Sequence, residues 1–204
     1  MKVELLQNAA ITERLSGYWR VKIADEIPST QSELKKLNPI NWDLLAAEFQ
    51  SAGRGRLDRT FEAAKSASLL FSFYIEPKRN KNDWGFIPLI AGASTASVIN
   101  KLSKSDKYSC KWPNDILAED KKIAGLLAET FGQGVIIGIG INVTLSGDDL
   151  PTPFASSILI QSGITLDRNF LLAEICNEFR ERFEEWDSGA DLTSYYSKIG
   201  RAHV

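Results

Sequence analysis

Cys110-Lys111-Trp112-Pro113-Asn114-Asp115-Ile116 is the stretch on which the reading of this chain turns. A cation, a large indole, a rigid proline, an amide and a carboxylate follow one another from Lys111 to Asp115. Proline fixes its own φ and biases the residue before it toward extended backbone. Asn and Asp form turns while carrying hydrogen-bond donors and acceptors. The expected local structure is a strand carrying Lys111 that runs into a tight, polar turn. Taken alone, the segment also fits an ordinary turn with Trp112 in the core and Lys111 on a solvated face.

Outward from this turn, strand and helix signals alternate irregularly. β-branched and aromatic residues predict strands over 17–27, 44–49, 68–75, 108–112, 116–117, 123–130 and 135–143. The last two can pair through Phe131-Gly-Gln-Gly134. Thr30 and Glu33 have capping-box spacing and open a short helix over 30–37, which Pro39 ends. A small-residue-rich helix is expected over 87–104. Another is expected over 169–186, with Leu172, Ile175, Cys176, Phe179, Phe183 and Trp186 on one face. Residues 50–65 are polar, basic and glycine-bearing, as a long surface loop is. Hairpin-like neighbours predict an α+β domain with a central mixed, mostly antiparallel sheet and helices packed on it.

Composition bounds the function. A chain of 204 residues fits one large domain, with 44% hydrophobic and 25% charged residues, as in soluble globular proteins. A net charge of −2 gives no global attraction for nucleic acid, so an anion site must be local. Cys110 and Cys176 form neither a disulfide framework nor a metal spacing. His203 is the one histidine, which excludes a histidine triad or a histidine metal cluster. There is no run of about 18 apolar residues to span a membrane and no signal-peptide pattern at the start. The expected location is the cytoplasm.

Four further blocks join the first. Ser29-Thr30-Gln31 comes near the start and Gln50-Ser-Ala-Gly-Arg54-Gly55-Arg56 upstream of the turn. Lys121-Lys122-Ile-Ala-Gly125 and Gly138-Ile-Gly140-Ile-Asn142 follow it, with Glu129 between them. In this order the five blocks resemble the catalytic domain of biotin protein ligases, over about residues 27–196. The resemblance implies the fold shared with class II aminoacyl-tRNA synthetases. It also implies ATP-dependent, AMP-forming activation of biotin to biotinyl-5'-AMP. Transfer to a lysine of a biotin carboxyl carrier protein domain would follow. That chemistry brings a carboxylate onto the α-phosphorus of ATP, so it depends on positioning and cations rather than on an acid–base histidine.

Residue by residue, the resemblance puts Lys122 on the biotin carboxyl and acyl-phosphate oxygens, with Lys121 beside it solvated. Lys111 falls near the nucleotide, where it can meet the α-phosphate or the biotin carboxylate. Asn114 and Asp115 are hard oxygen ligands for Mg²⁺, with Asp115 the metal residue. Trp112 is either a pocket wall or core. Gln50, Arg54, Gly55 and Arg56 bind biotin and the adenylate phosphate, in a loop able to fold over the intermediate. The family continues with Gly-Arg, a spacer and Trp, whereas this chain has Asp58-Arg59-Thr60-Phe61. Phe61 can still stack on adenine, with less area than indole. Gly125 allows close approach of a ligand or a neighbouring strand. Gly138 and Gly140 share one bare strand face that admits a flat group, and Asn142 offers an amide to a base or ribose. Ser29, Thr30 and Gln31 suit the biotin ureido group, while Thr30 can cap the helix.

The catalytic domain is expected over 1–198, and the resemblance implies a small β-barrel after it. Ile199-Gly-Arg-Ala-His-Val204 is either the start of that barrel or sequencing-adapter read-through, since it matches one translated frame of a common adapter. The few residues before Ser29 leave no room for a DNA-binding domain, and a homodimer stays open. Two other functions remain at this point. One is a lipoate or octanoyl ligase or transferase of the same superfamily. The other is a non-catalytic biotin- or adenylate-binding fragment.

Overall fold

The structure is a computed structural model that describes residues 4–55, 61 and 64–191. One seven-stranded sheet runs in the order β1-β2-β3-β7-β6-β5-β4. The strands are β1 (Arg20–Ile27), β2 (Asp43–Gln50), β3 (Ser68–Ile75), β4 (Tyr108–Lys111), β5 (Asp115–Ala118), β6 (Lys121–Phe131) and β7 (Gly134–Asn142). β1 and β2 are parallel, and every other neighbouring pair is antiparallel. The mixed, mostly antiparallel α+β sheet expected from the sequence is therefore present. The parallel pair needs a crossover, and the short helix α2 (Thr30–Lys36) supplies it.

Register decides which face does what, because strand side chains alternate. On one face Leu69, Phe71 and Phe73 of β3 pair with Ile141, Ile139 and Ile137 of β7. These are fully or almost fully buried, in one cluster with residues of α3 (Ile87–Ser103) and α5 (Arg168–Asp187). The apolar stripe read in the sequence of α5 is all in this core. Phe179 packs on Phe73 with ring centroids 4.7 Å apart. α3 comes so close to β4 that a Cβ on Gly92 would stand 2.7 Å from Cys110 Sγ. A glycine there is a packing requirement.

The other face is sparsely covered. Ser72 pairs with Gly138 and Leu70 with Gly140, while β6 sets Leu127 against Gly138 and Gly125 against Gly140. Small residues at the centre of a wide sheet leave a hollow, roofed by α2 and the segment after β2. Two short helices, α1 (Asn8–Thr12) and α4 (Ile158–Ser162), were not expected from the sequence. Each is too short to establish a helical period. Among the described residues no helix is long and apolar enough to cross a membrane.

Candidate active site

The hollow is a pocket of about 320 Å³. Ser29, Thr30, Gln31, Gln50, Arg54, Gly55, Phe61, Asn114, Asp115, Lys122, Gly125, Gly138 and Gly140 line it. Residues from five separate stretches of sequence thus converge on one cavity. Ser72, Leu126, Leu127 and Ile139 line it too and escaped the sequence reading. Ser72 left one signal, a hydroxyl between the apolar residues Phe71 and Phe73 of β3.

One end of the pocket is a polar wall. Ser29, not Thr30, is the N-cap of α2, and its hydroxyl accepts from Ser32 N. This corrects the expected capping box and frees Thr30, which is buried. Gln50 Oε1 accepts from Thr30 N at 2.6 Å and from Thr30 Oγ1 at 2.9 Å. With the Thr30 proton spent on Gln50, the 2.7 Å contact between Thr30 Oγ1 and Ser72 Oγ is a bond donated by Ser72. Gln31 Nε2 donates to Leu127 O. The wall therefore keeps open the Gln50 amide N–H groups and the Ser29 hydroxyl as donors, and Gln31 Oε1 as an acceptor. Gly138 is the floor beside it, where a Cβ would stand 3.2 Å from both Gln31 Oε1 and Ser72 Oγ.

Two residues along β7, about 7 Å by strand rise, the floor changes. The ring of Phe61 lies over Gly140, where a Cβ would fall 2.6 Å from two of its carbons. It also lies near Gly125. The bare glycine face is thus occupied by a side chain of this chain. Lys122 stands at this end with Nζ 2.7 Å from Asp115 Oδ1. Its backbone is fixed by Phe154 O and Ser156 N, in a segment that carries no motif. Lys121 instead donates to Pro153 O, on the surface. Among the described residues Asp115 is the single carboxylate lining the pocket. Among the described residues no group of three or more His, Cys, Asp or Glu could hold a metal ion. The donor set fits an Mg²⁺ ion that arrives with phosphates, which uses one or two protein carboxylates, and does not fit a resident ion.

Three expected residues lie outside the pocket lining. Lys111 is on β4, opposite Asp115 in register, one strand beyond the cavity. Trp112 is 59% exposed at the turn and belongs to neither wall nor core. Asn142 is buried and donates to Ser156 O at 2.9 Å, while its Oδ1 has no partner among the described residues. Arg56, with Asp58 and Arg59, lies outside the described residues, as does 199–204. Cys110 is buried. Burial, and secondarily the charge of Asp115, push its thiol up to about 11.

The chain is similar to known proteins in both sequence and structure. The profile of the Biotin/lipoate A/B protein ligase family matches residues 24–144. Bifunctional ligase/repressor BirA of Escherichia coli is 32% identical over 96% of this chain and 63% of its own length. Biotin–[acetyl-CoA-carboxylase] ligase of Mycobacterium tuberculosis is 30% identical over 84% of this chain and 66% of its own. The chain thus spans less than two thirds of either relative. Among solved structures, biotin protein ligase from Aquifex aeolicus in complex with biotin and ATP superposes with a TM-score of 0.80. It is 28% identical, and the match covers 89% of this chain and 79% of that one.

Proposed function

The chain belongs to the biotin/lipoate A/B protein ligase family, and from that premise we propose that it activates biotin with ATP. It then passes biotin to a lysine of a biotin carboxyl carrier protein domain. One observation carries the choice of biotin within the family. The pocket ends in a wall of hydroxyls and amides with both donors and acceptors open. A ureido ring has a carbonyl that needs donors and two N–H groups that need acceptors. A dithiolane ring or an alkyl tail has neither, and would leave this buried wall unpaired at a cost of about 1–3 kcal/mol per group.

In the proposed first step the biotin carboxylate oxygen bonds to the α-phosphorus of ATP. The bond from that phosphorus to the bridging oxygen breaks, and pyrophosphate leaves. In the second step the neutral amine of the acceptor lysine attacks the acyl carbon. AMP leaves, and the amine proton passes to solvent. With the ring against the polar wall, the acid chain runs along the Gly138–Gly140 floor toward Lys122. An ammonium there offsets the charge that gathers on the reacting oxygens in both steps. Asp115 holds that ammonium by its 2.7 Å contact and would help hold Mg²⁺, which supplies further neutralisation of the phosphates. The open Oδ1 of Asn142 suits the amino group of adenine at the far end of the same strand face.

The test is pyrophosphate exchange into ATP, run with biotin, with lipoate and without either acid. Exchange that depends on biotin is expected. Exchange with lipoate but not biotin would reassign the substrate, and none with either would leave a binding fragment.

A further inference from the structure

Glu129 takes no part in the chemistry above, yet three elements meet on it. It lies on β6 in phase with Gly125 and Leu127, beyond the polar wall. Arg54 gives it two parallel contacts, Nη1 to Oε2 at 2.9 Å and Nη2 to Oε1 at 3.0 Å. Lys35 of α2 adds Nζ to Oε2 at 2.8 Å. Exposed ion pairs contribute little on their own, but bidentate, networked and half-buried ones are the exception. Arg54 lines the pocket, but its guanidinium is turned to Glu129 and not to Lys122.

What Arg54 carries is main chain. Its neighbour Gly53 accepts from Phe61 N at 2.9 Å. A Cβ on Gly53 would stand 3.1 Å from Gln50 Nε2, the open donor of the wall. The stem before it is tied by Ser51 N to Ile27 O and Ala52 N to Pro28 O. Beyond that stem, Arg54 is the next described side chain to reach across the pocket. We propose that Glu129 is a positioning residue: it straps Arg54, and with it the Gly53–Gly55 backbone, to β6 and α2, which holds the Gln50 amide in place against the ring of the substrate. The proposal rests on the reading that this pocket takes biotin.

Equilibrium titration of biotin, with the ATP constant from pyrophosphate exchange and the thermal midpoint measured alongside, tests it. Glu129→Gln removes the charge and one acceptor. It should weaken biotin about tenfold, the scale of one charged hydrogen bond, and leave the ATP constant unchanged. Arg54→Lys keeps the charge, loses the fork, and should fall with it. The exchange of partners, Arg54→Glu with Glu129→Arg, should recover much of the biotin affinity. Unchanged biotin binding in Glu129→Gln overturns the strap. So does tighter binding, which would make Glu129 a competitor for Arg54. A joint loss of biotin, ATP and thermal stability would make Glu129 a fold residue only, and likewise overturns it. The wild-type protein is titrated with biotin and lipoate first. If it takes lipoate alone, the substrate reading falls, and the same series in lipoate judges the strap. If it takes neither, both fall.

Discussion

Lys122 and Gly140 show how little a site of this kind needs from any one residue type. Lys122 has a carboxylate partner at 2.7 Å and, on the proposed function, stands where charge builds up. Removing one preorganised electrostatic contact slows acyl-transfer enzymes by about 10²–10³. Lys122→Ala should lose biotin-dependent pyrophosphate exchange on that scale while circular dichroism and the thermal midpoint stay near wild type. Exchange at a near-normal rate would remove Lys122 from the reaction. Gly140 acts by having no side chain. An added methyl would meet the Phe61 ring at 2.6 Å, and because a ring at the far end of a side chain can move, the clash drives Phe61 into the pocket. Gly140→Ala should therefore weaken biotin and ATP together. Adding Phe61→Ala should return the protein to the level of Phe61→Ala alone. If Phe61 stacks on adenine, as the family resemblance implies, that level reflects the lost stacking, for which base–aromatic contacts suggest about 1–3 kcal/mol. If the double variant is as impaired as Gly140→Ala, the methyl is blocking the ligand itself.

At the scale of elements, α2, β2 and β3 build the polar wall jointly, through the chain Gln50–Thr30–Ser72. Groups in one hydrogen-bond chain are coupled, by about 0.5–3 kcal/mol. Thr30→Val and Ser72→Ala should each weaken biotin in calorimetric titration, yet their combination should cost clearly less than the sum. Strict additivity would show that the two hydroxyls work apart. The wall also marks how far the sequence could be read. Strands of alternating or continuous apolar residues were legible because their period is local, and so was the stripe of α5. The convergence of the short blocks was legible because Lys122, Gln50 and the paired glycines are residue types in patterns that packing alone does not require, and all of them line the pocket. Ser72 was not, because its partner Thr30 is 42 positions away and nothing local separates a buried hydroxyl with a role from one without. Lys111 and Trp112 lie outside the pocket lining, because β4 is the edge strand of the sheet and Trp112 is exposed just past its end. The N-cap moved from Thr30 to Ser29 for a tertiary reason: Gln50 and Ser72 claim Thr30 for the pocket.

Across the whole molecule, one buried ion pair joins parts far apart in sequence. Arg168, at the start of α5, stands with Nη1 2.8 Å from Glu48 Oε2, both side chains only 3% exposed. Arg168 also donates to Ser68 O and Glu4 O, and Glu48 accepts from Leu6 N. The N-terminal arm, β2, β3 and α5 are thus locked at one point, next to the strand ends that lead into the binding loop. Burial by itself would raise the Glu48 carboxyl. The hydrogen bonds and charge of Arg168, with the Leu6 amide, outweigh it, so its folded-state pKa lies below the ordinary value. A depressed carboxyl contributes stability that is fully present above the unfolded pKa of about 4.3 and is lost as pH falls through the folded one. Glu129 is shifted the same way, with burial again opposed and outweighed by Arg54 and Lys35. Wild-type protein should therefore lose thermal stability on acidification below about pH 4.3. Arg168→Met inverts the sign for Glu48. Left buried without a cation, its carboxyl rises above the unfolded value, so the folded state binds a proton more readily. At neutral pH that variant should be destabilised by about 3–5 kcal/mol, the cost of breaking a buried pair from one side. Its deficit against wild type should narrow as pH falls and Glu48 is neutralised. Urea denaturation at a series of pH values measures this directly, and a deficit that stays constant down to pH values near 4 would show that the pair contributes packing rather than charge.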